Sequence, residues 1–192
     1  GYFEAAAQAP LIDAQANANR SQGDVHPLGN PHVQLDPVKM ADIGLALAER
    51  LAKLDATNTA KYRHNAQQFK AAVEAKLPQW QKISAGSTSV ILYHKDANYL
   101  LNRFNIPLLA YVEPLAGIPP TANHILSLVK QFKGKKGVIL HTVYQGNAGI
   151  SQLAQQLGWN HVALPLEPVS NGNQQAYFAV IDQWLNAAAN NK

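Results

Sequence analysis

The sequence contains no cysteine. Disulfides and thiolate ligands are therefore excluded, and any transition metal bound by this chain is held by nitrogen and oxygen. Charged residues are also sparse, 15% of the chain against 47% hydrophobic, a balance that builds a packed core and argues against disorder. No apolar run approaches the roughly 20 residues a helix needs to cross a bilayer. The net charge is +4, yet the lysines and arginines are scattered and no dense basic run alternates with aromatics, so nucleic acid is not an expected partner. Enzyme signatures are missing as well. There is no Gly-x-Ser-x-Gly elbow, no phosphate loop, no dinucleotide fingerprint and no His-Glu-x-x-His helix.

What the chain does have is a stiff loop carrying two imidazoles. Gly23-Asp24-Val25-His26-Pro27-Leu28-Gly29-Asn30-Pro31-His32 runs into Val33-Gln34-Leu35-Asp36-Pro37. Three prolines and two glycines restrict its backbone, and the closing Asp-Pro pair is able to start a helix. Imidazole is the commonest transition-metal donor, and a donor on a rigid loop loses little entropy when the ion arrives. The spacing of His26 and His32 matches no helical or zinc-finger pattern, so histidines that merely hydrogen-bond are the competing reading. The 192 residues suffice for one sizeable core. The start at Gly1, without methionine or a signal-like segment, predicts a chain processed or cut from a longer one.

Beyond the loop, Asp36 is placed to cap a helix whose apolar residues Met40, Ile43, Leu47, Leu51 and Leu54 recur at intervals of three and four. A second stripe, Tyr62, Ala66, Phe69, Val73, Leu77 and Trp80, predicts a long helix that Pro78 kinks or stops. His64 lies off that stripe and is expected in solvent. After Gly86 short aliphatic runs alternate with helical segments. Strands are expected at 89–93, 108–112, 137–140 and 161–164, with helices at 97–104, 121–132, 150–157 and 174–188. This rhythm predicts an α/β fold with a parallel four-stranded sheet and flanking helices.

In such sheets ligands bind beyond the carboxyl ends of the strands. The residues found there are His94, Glu113, His141 and Glu167, each a competent donor without sulfur. His124, inside a helix, and His161, at the opposite end of the sheet, are expected to be structural. Gln145-Gly146-Asn147-Ala148-Gly149 opens a helix and is a weaker candidate for an anion site.

Taken together, Gly23-Asp24-Val25-His26-Pro27, Asn30-Pro31-His32, Leu35-Asp36-Pro37, Tyr93-His94-Lys95, Glu113-Pro114 and Gly117-Ile118-Pro119-Pro120 resemble the zinc and manganese solute-binding proteins of metal ABC transporters. Their order and spacing match over nearly the whole chain. The resemblance implies two lobes joined by a long rigid helix, similar to the one at 62–80, with the metal between lobes on three histidines and a carboxylate or a close variant. On that basis residues 1–55 are a remnant of the first lobe with the histidine loop and a helix, 56–83 the connecting helix, and 84–192 the carboxy-terminal α/β lobe. It implies metal ligands at His32, at His94 and at Glu167, which stands in a Leu166-Glu167-Pro168 context where the family usually has aspartate. Family members carry a long further segment before Asn-Pro-His, with another ligand histidine, so His26, Glu113, His141, water or a second subunit would have to complete the site.

The implied function is extracytoplasmic capture of zinc, or of manganese, as transported ligand for an ABC permease, without bond chemistry. The implied location is the periplasm or the extracellular face of the cell membrane, with membrane contact only through the permease or a lipid anchor. If the first lobe is absent, the helix at 40–54 is expected to favour dimerisation. Two other readings stand beside this one: a metal-assisted hydrolase with Glu113 as base, and a structural or adhesive module that binds no metal.

Overall fold

The computed structural model describes residues 2–14, 26–170 and 172–190. The expected loop therefore lies partly outside the described residues, which resume at His26. Six helices and four strands follow: α1 (Pro37–Leu54), α2 (Thr59–Ser84), β1 (Val90–Leu92), α3 (Asn98–Arg103), β2 (Leu108–Tyr111), α4 (Ala122–Phe132), β3 (Val138–Thr142), α5 (Ala148–Leu157), β4 (Asn160–Leu164) and α6 (Gln174–Ala189). All strand pairings are parallel, in the order β2-β1-β3-β4.

The strands are short aliphatic runs because they are covered on both faces. Val90, Leu92, Val138, Leu140 and Leu164 pack with Phe178, Ile181, Trp184 and Leu185 of α6, with Leu100 and Leu101 of α3, and with Val73 and Trp80 of α2. Ile91 and Ile139 face the other way, onto Ile125, Leu128 and Phe132 of α4 and Ile150 and Leu153 of α5. The chain leaves β1 for β2 on one side and then returns past β1 to β3. The strand order therefore reverses between β1 and β3, the place where open parallel sheets bind ligands beyond the carboxyl ends of their strands.

Of the two outcomes expected at Pro78, a kink or a stop, the stop does not occur: the helix continues to Ser84. Trp80, fully buried against Phe104 and Phe178, donates from Nε1 to Asp182 Oδ1 at 2.6 Å, and this anchor holds the turn beyond the proline. Pro78 lies on the exposed side of the helix, as does Glu74, whose carbonyl loses its helical donor. In α1 small residues make up most of the buried face, and of the stripe of large residues Ile43 alone is fully buried. Ala41, Ile43, Ala48 and Ala52 are buried, whereas Leu47 and Leu54 are exposed. Small side chains let α1 lie close to α2, its principal neighbour, with Gly44 beside Phe69.

The histidine loop is fastened to the sheet lobe from several directions. Asp36 caps α1, accepting from the backbone N–H groups of Val38 (3.0 Å) and Lys39 (3.2 Å), and also receives Arg103 of α3 at 2.6 and 2.9 Å. Tyr177 of α6 donates to the carbonyl of Gln34 at 2.9 Å, and burial pushes its phenol far above the ordinary range. Leu35, fully buried, joins the same core as α6. Residues thus remote in sequence hold His32 over the end of β1.

Candidate metal centre

His94 is the second residue beyond β1, in extended backbone, just before the turn Lys95–Ala97 that leads into α3. Its Nδ1 lies 2.7 Å from Glu113 Oε2. A carboxylate only accepts, so Nδ1 carries the proton and Nε2 presents its lone pair. Glu113 follows β2 and is itself fixed by the backbone N–H of Gly117 at 3.3 Å. The His94 Nε2 lone pair points at His32 Nε2, 3.3 Å away, with the rings edge to face. Two nitrogens each about 2.0–2.1 Å from one tetrahedral zinc ion stand about 3.3 Å apart. The separation suits a shared ion.

Asp96 supplies charge. It is buried, and donor atoms of His32, His94 and Asp96 all lie within 4.8 Å of one another. One Asp96 oxygen lies 3.9 Å from His32 Nδ1, and the other accepts from Gln145 Nε2 at 2.7 Å. Gln145 also accepts from the backbone N–H of Thr142 at 2.7 Å, which ties the loop after β3 to the carboxylate. The group therefore sits where the strand order reverses. Among the described residues it is the one set of three or more histidine or carboxylate side chains close enough to share an ion.

Asn30 sets the distance between the two histidine loops. Its side chain is buried, accepts from the backbone N–H of His32 at 2.9 Å, and donates to the carbonyl of Lys95, next to His94, at 2.9 Å. Tyr99 donates to the Asn30 carbonyl at 2.6 Å and receives the N–H of Ile12 at 3.0 Å. With its amide and carbonyl both fastened, Asn30 makes the two ligand loops one unit.

The other candidates fall elsewhere. His26 is exposed, with its ring centre 6.0 Å from that of His32, beside the cluster and not within it. Glu113 lies behind His94, engaged to Nδ1, and does not stand free as a base. Glu167 is exposed on the segment that follows the carboxyl end of the edge strand β4, outside the group of three. His141 is not beyond its strand: β3 extends to Thr142, and Val143 N–H still bonds the Leu164 carbonyl. Its ring pairs with His161. His124 lies 3.2 Å from the Tyr111 carbonyl through Nε2, and His64 is exposed. In the segment 145–149, Gly149 is required by packing, since a Cβ there would come within 2.9 Å of Pro120 Cγ.

Sequence reasoning missed Asp96, and it gave Asn30 and Gln145 no part in holding the donors although both stood in segments it singled out. A carboxylate two positions after a strand-end histidine, in the turn opening a helix, was the available signal for Asp96. Gln145 belonged to a weaker anion candidate, and its role of holding Asp96 depends on β3 lying next to β1.

Comparison with solved structures finds the same fold. FpvC of Pseudomonas aeruginosa, solved in complex with Mn2+, superposes with a TM-score of 0.75 at 22% identity, covering 97% of this chain and 67% of that one. A crystal structure of ZnuA gives 0.75 at 19% identity, with 97% and 69% covered. The laminin-binding protein Lmb of Streptococcus agalactiae, described as bifunctional with adhesin and metal-transporting activity, gives 0.77 at 20% identity, with 97% and 70% covered. A search of curated proteins finds no match. Residues 3–191 match the family described as zinc-uptake complex component A, periplasmic. With that match over nearly its whole length, this chain belongs to the ZnuA family of solute-binding proteins.

Proposed function

We propose that this protein captures a zinc ion outside the cytoplasm and delivers it to the permease of an ABC transporter. His32 Nε2, His94 Nε2 and a carboxylate oxygen of Asp96 are the donors. Glu167, beyond the carboxyl end of β4, is the further donor that the family resemblance implies. The observation that carries this reading is the 3.3 Å separation of two imidazole nitrogens, one of them aimed by a carboxylate behind it. Such backing fixes the tautomer and raises the basicity of the ligand. Nitrogen-rich donation favours zinc over manganese, which suits oxygen ligands better.

Capture here needs a tautomer change at His32, its proton moving from Nε2 to Nδ1 through solvent, but little movement of the donors, because Asn30 and the Asp36–Arg103 pair already hold their loops in place. A site held this way gives up little binding energy to ordering. A carboxylate or two beside two neutral imidazoles neutralises part or all of the ion's charge. Open positions left to water give the permease a route to draw the ion off by ligand exchange.

The test is a thermal melt of the metal-stripped protein with zinc, with manganese and with neither. A ligand that binds only the native state at about a thousand times its Kd adds about 4 kcal/mol. Zinc is expected to raise Tm by several degrees and manganese by less. A manganese shift at least as large as that of zinc would overturn the choice of metal, and no shift with either would overturn the site.

A further inference from the structure

A second pair of imidazoles lies across the sheet from the first. His141 is the fourth residue of β3 and His161 the second of β4, the strand at the edge of the sheet. Register pairs His141 with Ala163 and Ile139 with His161, so the two histidines are diagonal neighbours on one face. His141 Nε2 and His161 Nδ1 stand 3.3 Å apart, with ring centres at 5.5 Å and planes inclined by 32°. That is again the spacing of two nitrogens on one tetrahedral ion.

We propose that His141 and His161 form a second, weaker site for a divalent transition-metal ion, separate from the cluster of His32, His94 and Asp96. The other nitrogen of His141, Nδ1, lies 3.1 Å from the carbonyl oxygen of Thr142. A carbonyl only accepts, so the proton sits on Nδ1 and the Nε2 lone pair faces His161. A carbonyl behind a ligand histidine is the usual alternative to a carboxylate in fixing its tautomer. Burial lowers the His141 pKa, which favours the neutral ring that binds metal.

On the metal's arrival His161 changes tautomer, its proton moving from Nδ1 to Nε2 through solvent. Two neutral imidazoles then donate their lone pairs and no proton is released. Water fills the remaining positions from the side where Ala163, of the same strand face as His161, is exposed. The site lacks a carboxylate among its donors, so its affinity falls below that of the first. Imidazole donors select zinc, copper or nickel over manganese and magnesium.

Equilibrium dialysis of the metal-stripped protein against zinc tests this. The expected result is two zinc ions per chain, one tight and one weaker. His161→Gln, on a half-buried edge-strand position, should lose the weaker ion and keep the tight one. His32→Ala with His94→Ala should do the reverse, so failure of either site is seen separately. Ring 15N shifts of His141 and His161 should move only during the weaker binding step, a readout that needs no variant. Saturation at a single zinc, a weaker zinc that persists in His161→Gln, or ring shifts unmoved by zinc would each overturn the proposal.

Discussion

The two histidine pairs have the same spacing, 3.3 Å between facing ring nitrogens, and differ in what surrounds them. Behind His94 stands a carboxylate, Glu113; behind His141 stands a backbone carbonyl. The first pair joins loops at the carboxyl ends of strands and has Asp96 within reach, whereas the second is set in the strands themselves and has no third donor beside it among the described residues. Donor spacing alone therefore does not rank the sites. Added negative charge, and a frame that leaves the donors little to move, separates capture from casual coordination.

The comparison is broken most severely by removing the first pair. His32→Ala with His94→Ala should reduce zinc affinity by more than the roughly 10–100-fold typical of a lost second-shell partner. The residual binding should resemble that of the second pair, which a competition titration measures.

Next in size is the frame. Arg103→Met removes the guanidinium from the buried Asp36 carboxylate, which keeps its two backbone N–H donors; with Arg103 itself exposed, the loss should be about 1–3 kcal/mol. Urea unfolding should show a lowered midpoint, with weaker zinc binding because the His32 loop is anchored through the same aspartate.

Asn30→Ala should cost about 1–3 kcal/mol, by leaving the His32 N–H and the Lys95 carbonyl without their partner. It tests whether the bridge, and not the donors alone, gives the first pair its advantage. Glu113→Gln keeps the shape of the residue and removes its charge. Zinc affinity should fall about 10–100-fold with Tm of the metal-free protein nearly unchanged. If it does not fall, the difference in backing between the two pairs is unimportant.

The smallest effect concerns the second pair in metal-free protein. Burial lowers the pKa of His141 from its ordinary 6.5, with the nearby His161 acting in the same sense and the Thr142 carbonyl opposing. The unfolded chain then binds the proton more readily than the native one. Stability is therefore fully present above the ordinary value and is lost as pH falls below it toward the depressed native value. Tm measured on either side of that window should drop on the acid side, and His141→Gln should lessen the drop.

Much of this was legible in the sequence, for reasons that can be traced. Aliphatic runs such as Val138-Ile139-Leu140 declare a strand buried on both faces, and the helical intervals between them declare parallel crossovers. The carboxyl-end rule then picked out His94 and Glu113 without any structure. It misplaced His141, because backbone pairing with β4 carries β3 past the last aliphatic residue. Helix α1 misled for a different reason: large apolar residues marked the helix, but close approach to α2 selected its alanines for burial. Pro78 was read locally, while the anchoring of Trp80 is a contact with Asp182, a hundred residues on. Asp96 and Asn30 act through neighbours supplied by other loops, so the motif around Asn30 and the spacing of Asp96 from His94 did not by themselves show what each one holds.

The most direct test of the central claim is the zinc-edge X-ray absorption spectrum of protein loaded with one equivalent of zinc, compared with the Asp96→Asn variant. Two imidazoles and oxygen in the first shell, with binding weakened in the variant, is the predicted result. A first shell with fewer than two imidazoles, or affinity and spectrum unchanged when Asp96 loses its charge, would contradict it.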